Sequence, residues 1–577
     1  MKKVHGLIAT LEEMGDYLEL DGANPFKSGA YPKAARALQE FGANLDDYVT
    51  GNRLTEIPGV GKGLAEKIVE FWNSGRIAEL DELKARIPAG LREMTRIPGV
   101  GAKKVRALRE ALGIATVADL RAACGDGRVA GLKGFGDKTA LKILGGIDQL
   151  EKFSGRHRLD FADRLAEPIL EFLRAHPDVI RAEIAGSLRR SRETVKDLDF
   201  VAAVRNAEKV MADFTSLPDV TSIIGSGDTK SSVILGGKIQ ADLRCVTEAE
   251  FPFALMHFTG SKEHNTRMRA LAKDAGLKLN EYGLFPEGSE TSLPAATEAD
   301  VYTYFRMEYV APELREEMGE IEAARERRLP RLVQHSDFRG VIHIHTHYSD
   351  GKPALADYAK WAAEHGIQWM GISDHSRSLT VANGLSEERV RQQQAEIDAV
   401  NAEFAARGVR LLKGIESDIL ANGALDYSDG FLKSFEFVIA SVHSYFNLTE
   451  AEQTTRVLRA LEHPATTVLG HMTGRLLLAR DGFDIDQKEV IRAAARHGVA
   501  IEINANPWRL DIDWRLIRFA VEQGCRLCVG PDAHAMDGLS DTRFGIAMAH
   551  KGWLTADDLL NTLSADDFLA FARKEKK

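Results

Sequence analysis

Beyond Val341, short apolar runs alternate with amphipathic stretches seven times, with strand patterns near 342–347, 369–374, 410–417, 437–442, 467–470, 499–504 and 526–531. Helical patterns such as ALADYAKWAAEHG and DQKEVIRAAARHG fall between them. This alternation predicts a parallel sheet, and seven units predict closure into a barrel with its chemistry at the C-terminal strand ends. From Leu159 the pattern differs: an amphipathic helix, DRLAEPILEFLRAHP, precedes the strands RAEIAG, LDFVAAV, TSIIGSG, SSVILGG and KIQADLRCV, read as a mixed sheet. A turn and helix follow in FALMHFTGSKEHNTRMRALAKDAG, and residues 312–330, polar and densely charged, read as a linker.

The N-terminal part is helical and repetitive. IPGVGKGLAEKI from Ile57, IPGVGAKKVRAL from Ile97 and LKGFGDKTALKI from Leu132 share an apolar-x-Gly-apolar-Gly turn leading into a helix. The glycine pairs Gly59 and Gly61, Gly99 and Gly101, and Gly134 and Gly136 permit a tight hairpin. Its backbone N–H groups and the following helix N-terminus make an anion site, suited to gripping nucleic-acid phosphates without reading sequence.

At 577 residues and 44% hydrophobic composition the chain suits about four soluble domains. Four cysteines and the lack of a long apolar run suggest a reduced, cytoplasmic protein without membrane contact. Cys525 and Cys528, at i and i+3 on a strand, are expected to point to opposite faces and serve packing. A net charge of −10 argues against a simple basic nucleic-acid binder. Residues 101–150 nonetheless carry nine Lys or Arg against five Asp or Glu, so nucleic-acid contacts would be local.

The segment GSLRRSRETVKDLDF, Gly186 to Phe200, joins a Gly-Ser turn and two arginines to Asp197 and Asp199 at strand spacing. The two carboxylates share one strand face and repel unless cations lie between them; divalent metals bridging phosphate oxygens serve nucleotidyl transfer. Asp242, in QADLR, is a third inward carboxylate by alternation. A second constellation lies at the predicted barrel-strand ends: His343, His345, Asp350, Asp374, His375, Glu416, His443, His471, Asp532 and His534. His343 with His345, and Asp532 with His534, read as i, i+2 pairs on one strand face. Imidazole and carboxylate donors without thiolate suit Zn²⁺, Mn²⁺ or Fe and metal-assisted phosphoester hydrolysis.

These motifs together resemble the bacterial family X DNA polymerases fused to a PHP (polymerase and histidinol phosphatase) domain. The resemblance covers essentially the whole chain. It implies a multidomain α+β and α/β architecture: a lyase-like helical domain with the first helix-hairpin-helix (1–82), a second helix-hairpin-helix domain (83–155), a nucleotidyltransferase palm (156–250), a thumb (251–311), a linker (312–336) and a distorted (β/α)7 PHP barrel (337–577). By resemblance Asp197, Asp199 and Asp242 hold Mg²⁺ or Mn²⁺, while Gly186, Ser187 and Arg190 bind the nucleotide phosphates. His257, Phe258, Gly260 and Asn265, in the motif HFTGSKEHNTRMR that also contains Thr259, meet the nucleotide sugar and base, and Arg269 contacts the template strand. His257 stands where many relatives carry tyrosine, and Lys262 replaces an acidic residue of animal relatives.

Lys67, with Glu66 and Tyr31, matches the Schiff-base lysine of the lyase domain; a nucleophilic lysine must be neutral, so burial beside cations is expected there. Lys67 serves equally as a phosphate-binding helix lysine, and Phe26 and Gly63 replace polar or cationic residues of the animal proteins. The PHP metal ligands match at His343, His345, Asp350, His375, Glu416, His443, His471, Asp532 and His534, implying three divalent metals, Zn²⁺ or Mn²⁺, and 3′–5′ exonuclease and abasic-site endonuclease activity. The implied partners are gapped or nicked DNA, 3′ ends, abasic sites and deoxynucleoside triphosphates, handled by a monomer that fills short gaps in repair. Three readings compete: an end-processing nuclease with vestigial polymerisation, a non-catalytic DNA-end scaffold, and a barrel acting on a small phosphate ester.

Overall fold

The computed structural model describes residues 2–39, 45–57, 59–97 and 99–573, in two compact units, Met1–Ser154 and Gly155–Lys577. Pro58 and Pro98 of the first two hairpins lie outside the described residues. The first unit is helical, built on one core that includes Leu11, Tyr31, Ile68, Val105 and Ile147. In its first two hairpins the apolar flanks Ile57, Val60, Ile97 and Val100 are all buried, which anchors the turn and leaves its glycines outside. Gly59 and Gly99 adopt φ of +86° and +79°, and Gly61 and Gly101 cap the helices Lys62–Ser74 and Ala102–Leu112. The third repeat departs from this. Leu132 and Phe135 are only half-buried, Gly134 and Gly136 both have positive φ (+92° and +70°), and Phe135 is the cap of helix Gly136–Phe153.

The second unit opens with a mixed five-stranded sheet. Its order is Val179–Ile184, Asp197–Val204, Ile239–Val246, Lys230–Leu235, Val220–Ser226, with only the Asp197–Val204 and Ile239–Val246 pair parallel. The helix Leu159–Ala175 covers one face through Ala162, Ala166, Leu170 and Leu173. The thumb helices Phe251–Thr259 and Lys262–Asp274 follow, then a seven-stranded all-parallel sheet. Its strands, Gly340–Ile344, Trp369–Ile372, Arg410–Asp418, Phe437–Ser441, Val468–Leu469, Ala500–Asn504 and Leu527–Gly530, match the expected seven. A parallel bridge from Ile344 to Ala533 brings the first strand to the last and nearly closes the barrel.

One continuous buried cluster runs from sheet residues such as Phe200 and Leu243 to barrel residues such as Ile344, Ile415 and Val529. Cys525 and Cys528 are buried in two different apolar clusters and serve packing, although Cys525 precedes the strand Leu527–Gly530 rather than lying on it as expected.

Residues 312–330 correct the expectation of a linker. Leu314, Ile321 and Ala324 join the thumb core with Phe253, Met268 and Tyr302. Arg315 is fully buried and donates to Glu298 Oε1 at 2.7 Å and to the Val310 carbonyl at 3.0 Å. Glu320, also buried, lies 2.7 Å from His264 Nδ1. Paired burial lets parts of so charged a segment enter the interior, because Arg315 meets Glu298 and Glu320 is hydrogen-bonded by His264 and by the Glu317 and Met318 N–H groups. Among the described residues no helix is long and apolar enough to cross a membrane.

Candidate active sites of the palm and the barrel

In the palm, the parallel register sets Asp199 directly opposite Asp242, and Asp197 opposite Gln240. Gly186, at φ +63°, approaches so closely that a Cβ built there would fall 2.1 Å from Asp199 Oδ2; only glycine fits. The Ala185 N–H donates to the Asp199 carbonyl at 2.7 Å, tying the Gly186 turn to the carboxylate strand. Burial, reinforced by the charges of Asp197 and Asp242, raises the Asp199 carboxyl to about 7. Asp242 behaves oppositely. Burial pushes it up, but hydrogen bonds from Lys230, Gln240 and Ser232 outweigh this and hold it below its ordinary value. Lys230, 2.5 Å from Asp242 Oδ2, was not singled out in the sequence. Strand pairing alone brings it there.

Arg190 sits at the end of the short helix Gly186–Arg189, donating through Nη1 to the Thr259 carbonyl and through Nε to Glu316 Oε1 at 3.2 Å. A Cβ on Gly260, at φ +73°, would lie 2.9 Å from Arg190 Nη1, so this glycine too is set by a close approach. The phosphate loop and the thumb motif, read separately in the sequence, therefore touch. Asn265 Nδ2 donates to the His257 carbonyl at 2.6 Å, and Arg269 Nε to the Asn265 carbonyl at 3.3 Å. The His257 and Phe258 rings meet edge-on at 5.0 Å, with Arg244 over Phe258. Burial lowers the His257 imidazole.

The surroundings of Lys67 correct the expectation of a cationic, pKa-lowering site. Its ammonium lies 3.3 Å from both Glu70 and Glu79. Burial lowers its pKa, but these two carboxylates prevail and raise it, so Lys67 stays charged. In the hairpins, a Cβ on Gly61, Gly99, Gly101, Gly134 or Gly136 would meet no atom within 4 Å, and one on Gly59 only the Lys33 carbonyl at 4.0 Å, so the turns face open space.

The barrel gathers all nine of its expected ligands. Four overlapping groups have ligand atoms within 4.8 Å of one another: His345, Asp350, His375 and His534; His343, His345 and Asp532; His343, Glu416 and His471; and His375, Glu416 and His443. Fully buried Glu416 is the hub, 2.9 Å from His471 Nε2, 2.7 Å from His375 Nδ1, and 3.3 Å from both His343 and His443 Nε2. The donor set fits divalent cations on a local observation. Both ring nitrogens of His345, His343 Nε2, His471 Nδ1 and Glu416 Oε2 are buried without hydrogen-bond partners among the described residues, a cost that metal coordination removes. Burial and the neighbouring His534 and His375 bring His345 down to about 3, which keeps it in the neutral, ligating form.

Convergence does not come from plain strand alternation, and here the i, i+2 expectation is corrected. His343 lies at a register shift with φ +67°, and His345 comes after its strand has ended. Asp532, at φ +51°, and His534 follow the strand Leu527–Gly530 on a loop. A bulge and a left-handed turn aim these side chains inward.

Three residues the sequence reading missed orient the ligands. Glu502 bonds His343 Nδ1 and accepts from the His471 N–H at 2.7 Å, Asp418 bonds His443 Nδ1 at 2.5 Å, and Arg509 Nε approaches Asp532 at 3.4 Å. Such outer partners fix tautomer and ring direction. Two of them left a signal in the sequence, Asp418 two positions after Glu416 and Glu502 on the strand beside Leu527–Gly530, whereas nothing local marks Arg509. Asp374, grouped with the ligands by position, is instead consumed by Thr346, Ser349 and Gln393.

Comparison with known proteins agrees with this geometry. The DNA polymerase beta thumb family matches residues 254–316, a helix-hairpin-helix domain 4–77, a SAM-like helix-hairpin-helix tandem 91–147, and the PHP domain 342–506. The chain is 39% identical over 570 residues to the DNA polymerase/3′-5′ exonuclease PolX of Bacillus subtilis, covering 98% of this chain and 99% of that one. It is 26% identical to DNA polymerase lambda of Rattus norvegicus over 49% of this chain and 51% of that one. A probable phosphatase of Thermoanaerobacter is 26% identical over 38% of this chain and 90% of its own length.

Proposed function

Because the chain belongs to the bacterial family X DNA polymerases with a C-terminal PHP domain, we propose that it fills short gaps in damaged DNA and trims 3′ ends and abasic sites with its barrel. The observation that carries the synthetic half is the Asp199–Asp242 pairing with Gly186 packed against Asp199. Asp197, Asp199 and Asp242 would hold Mg²⁺ or Mn²⁺, which when bound offsets their mutual repulsion and the charge of a triphosphate. Ser187 and Arg190 orient the outer phosphates, while His257, Phe258 and Asn265 line the nucleotide side and Arg269 the template side. The transferred group would be positioned by the loop and thumb, which meet through Arg190, the Thr259 carbonyl and Gly260.

In the barrel, the nine ligands would hold up to three ions, Zn²⁺ or Mn²⁺, which when bound would supply Lewis-acid chemistry for phosphodiester hydrolysis near neutral pH. Glu502 and Asp418 keep His343 and His443 oriented for this. The hairpins of the first unit grip duplex phosphates through open, glycine-exposed N–H groups. Glu70 and Glu79 keep Lys67 protonated, which favours a phosphate-gripping role over Schiff-base chemistry; borohydride trapping on an abasic substrate checks this, with no Lys67 adduct expected.

The whole reading is tested on one gapped, labelled duplex with Mg²⁺ and with Mn²⁺. Asp242→Ala should end primer extension and spare 3′ degradation, and His343→Ala should do the reverse. Extension surviving Asp242→Ala would sink the palm assignment. Faster phosphate release from a small ester than DNA cleavage would reassign the barrel.

A further inference from the structure

The barrel helix Thr542–Lys551 ends on a lysine that plays no part in the metal cluster. The Lys551 side chain is fully buried, with Nζ 2.9 Å from the Arg190 carbonyl, 3.4 Å from the Glu313 carbonyl and 2.8 Å from Glu316 Oε1. The indole of Trp514, also from the barrel, lies under it at 4.4 Å. Glu316 is simultaneously bound by Arg190 Nε at 3.2 Å and Arg192 Nη1 at 3.0 Å. One carboxylate thus serves three cations, two on the phosphate loop and one on the barrel.

Glu316 carries one negative charge and faces three cations, so Lys551 competes with Arg190 and Arg192 for the same carboxylate beside the loop where a triphosphate would bind. Lys551 also fastens the loop mechanically, because Arg190, whose carbonyl accepts from Nζ, caps the helix Gly186–Arg189 that carries Ser187, its N–H donating to the Gly186 carbonyl. Without the lysine, Glu316 is fully shared between Arg190 and Arg192 and draws Arg190 away from the nucleotide.

We propose that Lys551 is a positioning residue for the polymerase site, supplied by the barrel: it fixes the Gly186–Arg190 loop and occupies Glu316 so that Arg190 remains available to an incoming nucleoside triphosphate. This rests on reading that loop as the triphosphate site. The barrel then completes the polymerase besides carrying its own chemistry.

The experiment uses the full chain and single-nucleotide insertion on gapped DNA, with 3′ degradation measured in parallel. Lys551→Met should raise the KM for the deoxynucleoside triphosphate about tenfold, as expected for one lost charged hydrogen bond, while kcat stays within about twofold and 3′ degradation is unchanged. Lys551→Arg should keep KM near that of the parent, and Lys551→Met with Glu316→Gln should recover much of the loss. An unchanged KM in Lys551→Met overturns the proposal, as does a parallel fall of insertion, degradation and thermal stability, which marks a purely structural lysine. Arg190→Ala separates the layers: if it leaves KM unaltered, the loop reading itself fails, whereas a raised KM there with none in Lys551→Met removes only the role of Lys551.

Discussion

Lys230 holds Asp242: its ammonium lies 2.5 Å from Oδ2, while Gln240 donates to Oδ1 at 2.8 Å. Asp199, opposite Asp242 on the next strand, is raised to about 7 by burial and by the charges of Asp197 and Asp242. One carboxylate of the pair therefore already has a counter-charge and the other does not. Lys230→Met should leave buried Asp242 without its counter-charge, held only by Gln240 and Ser232, and lower stability in EDTA by about 1–3 kcal/mol. Added Mg²⁺ should recover more of the melting temperature in the variant than in the parent, read by scanning fluorimetry; equal Mg²⁺ responses would show that the palm carboxylates do not share a cation.

Glu416 touches four histidines at once, so its loss should scatter the barrel ions. Metal analysis of purified Glu416→Ala should show fewer bound ions than the parent, and 3′ degradation should fall by about 100-fold or more, with primer extension retained. A parent protein carrying no metal would favour a scaffold over an enzyme.

Gly99 and Gly101 offer a controlled contrast in the hairpins. Gly99 has φ +79° and Gly101 φ −74°, and a Cβ at either meets no atom within 4 Å. Gly99→Ala should cost about 1 kcal/mol of stability through backbone strain, and Gly101→Ala far less. Both should weaken duplex binding, because a methyl group then stands over the phosphate-facing N–H groups. Fluorescence anisotropy over a salt series reads this, and binding insensitive to salt would contradict phosphate gripping.

Asp541 gives a pH dependence away from both sites. Burial and then Asp160 raise its carboxyl from 3.8 to about 7, Arg543 opposing. A folded-state value above the unfolded one means the protonated form favours folding, so stability is full below about pH 4 and is lost as pH rises toward 7. Asp541→Asn should remove this slope and be more stable than the parent at pH 8, by about 1–2 kcal/mol after allowing for partial solvent access. Denaturant unfolding at pH 5 and pH 8 checks it.

The sequence made the barrel legible because strand and helix periods are local: seven apolar runs became seven strands within a few residues of their expected positions. The gathering of His, Asp and Glu at successive strand ends was legible because those residues have few other uses together, but spacing alone included Asp374, and only the resemblance left it out of the nine. The segment 312–330 was not legible, since a count of charges says nothing about whether Arg315 finds Glu298 or Glu320 finds His264. The same blindness produced the wrong setting for Lys67, whose partner Glu79 lies on another helix.

Sequence alone thus determined the order of elements, the donor types and the glycines of the phosphate loop and hairpins, all of which follow from spacing and from each residue's own chemistry. Tertiary structure decided how those donors meet. The bulge at His343, the left-handed turn at Asp532, Lys230 against Asp242, and Lys551 reaching Glu316 across 235 residues arise from chain crossings. Their charges are settled by burial beside one another, and no local pattern encodes that.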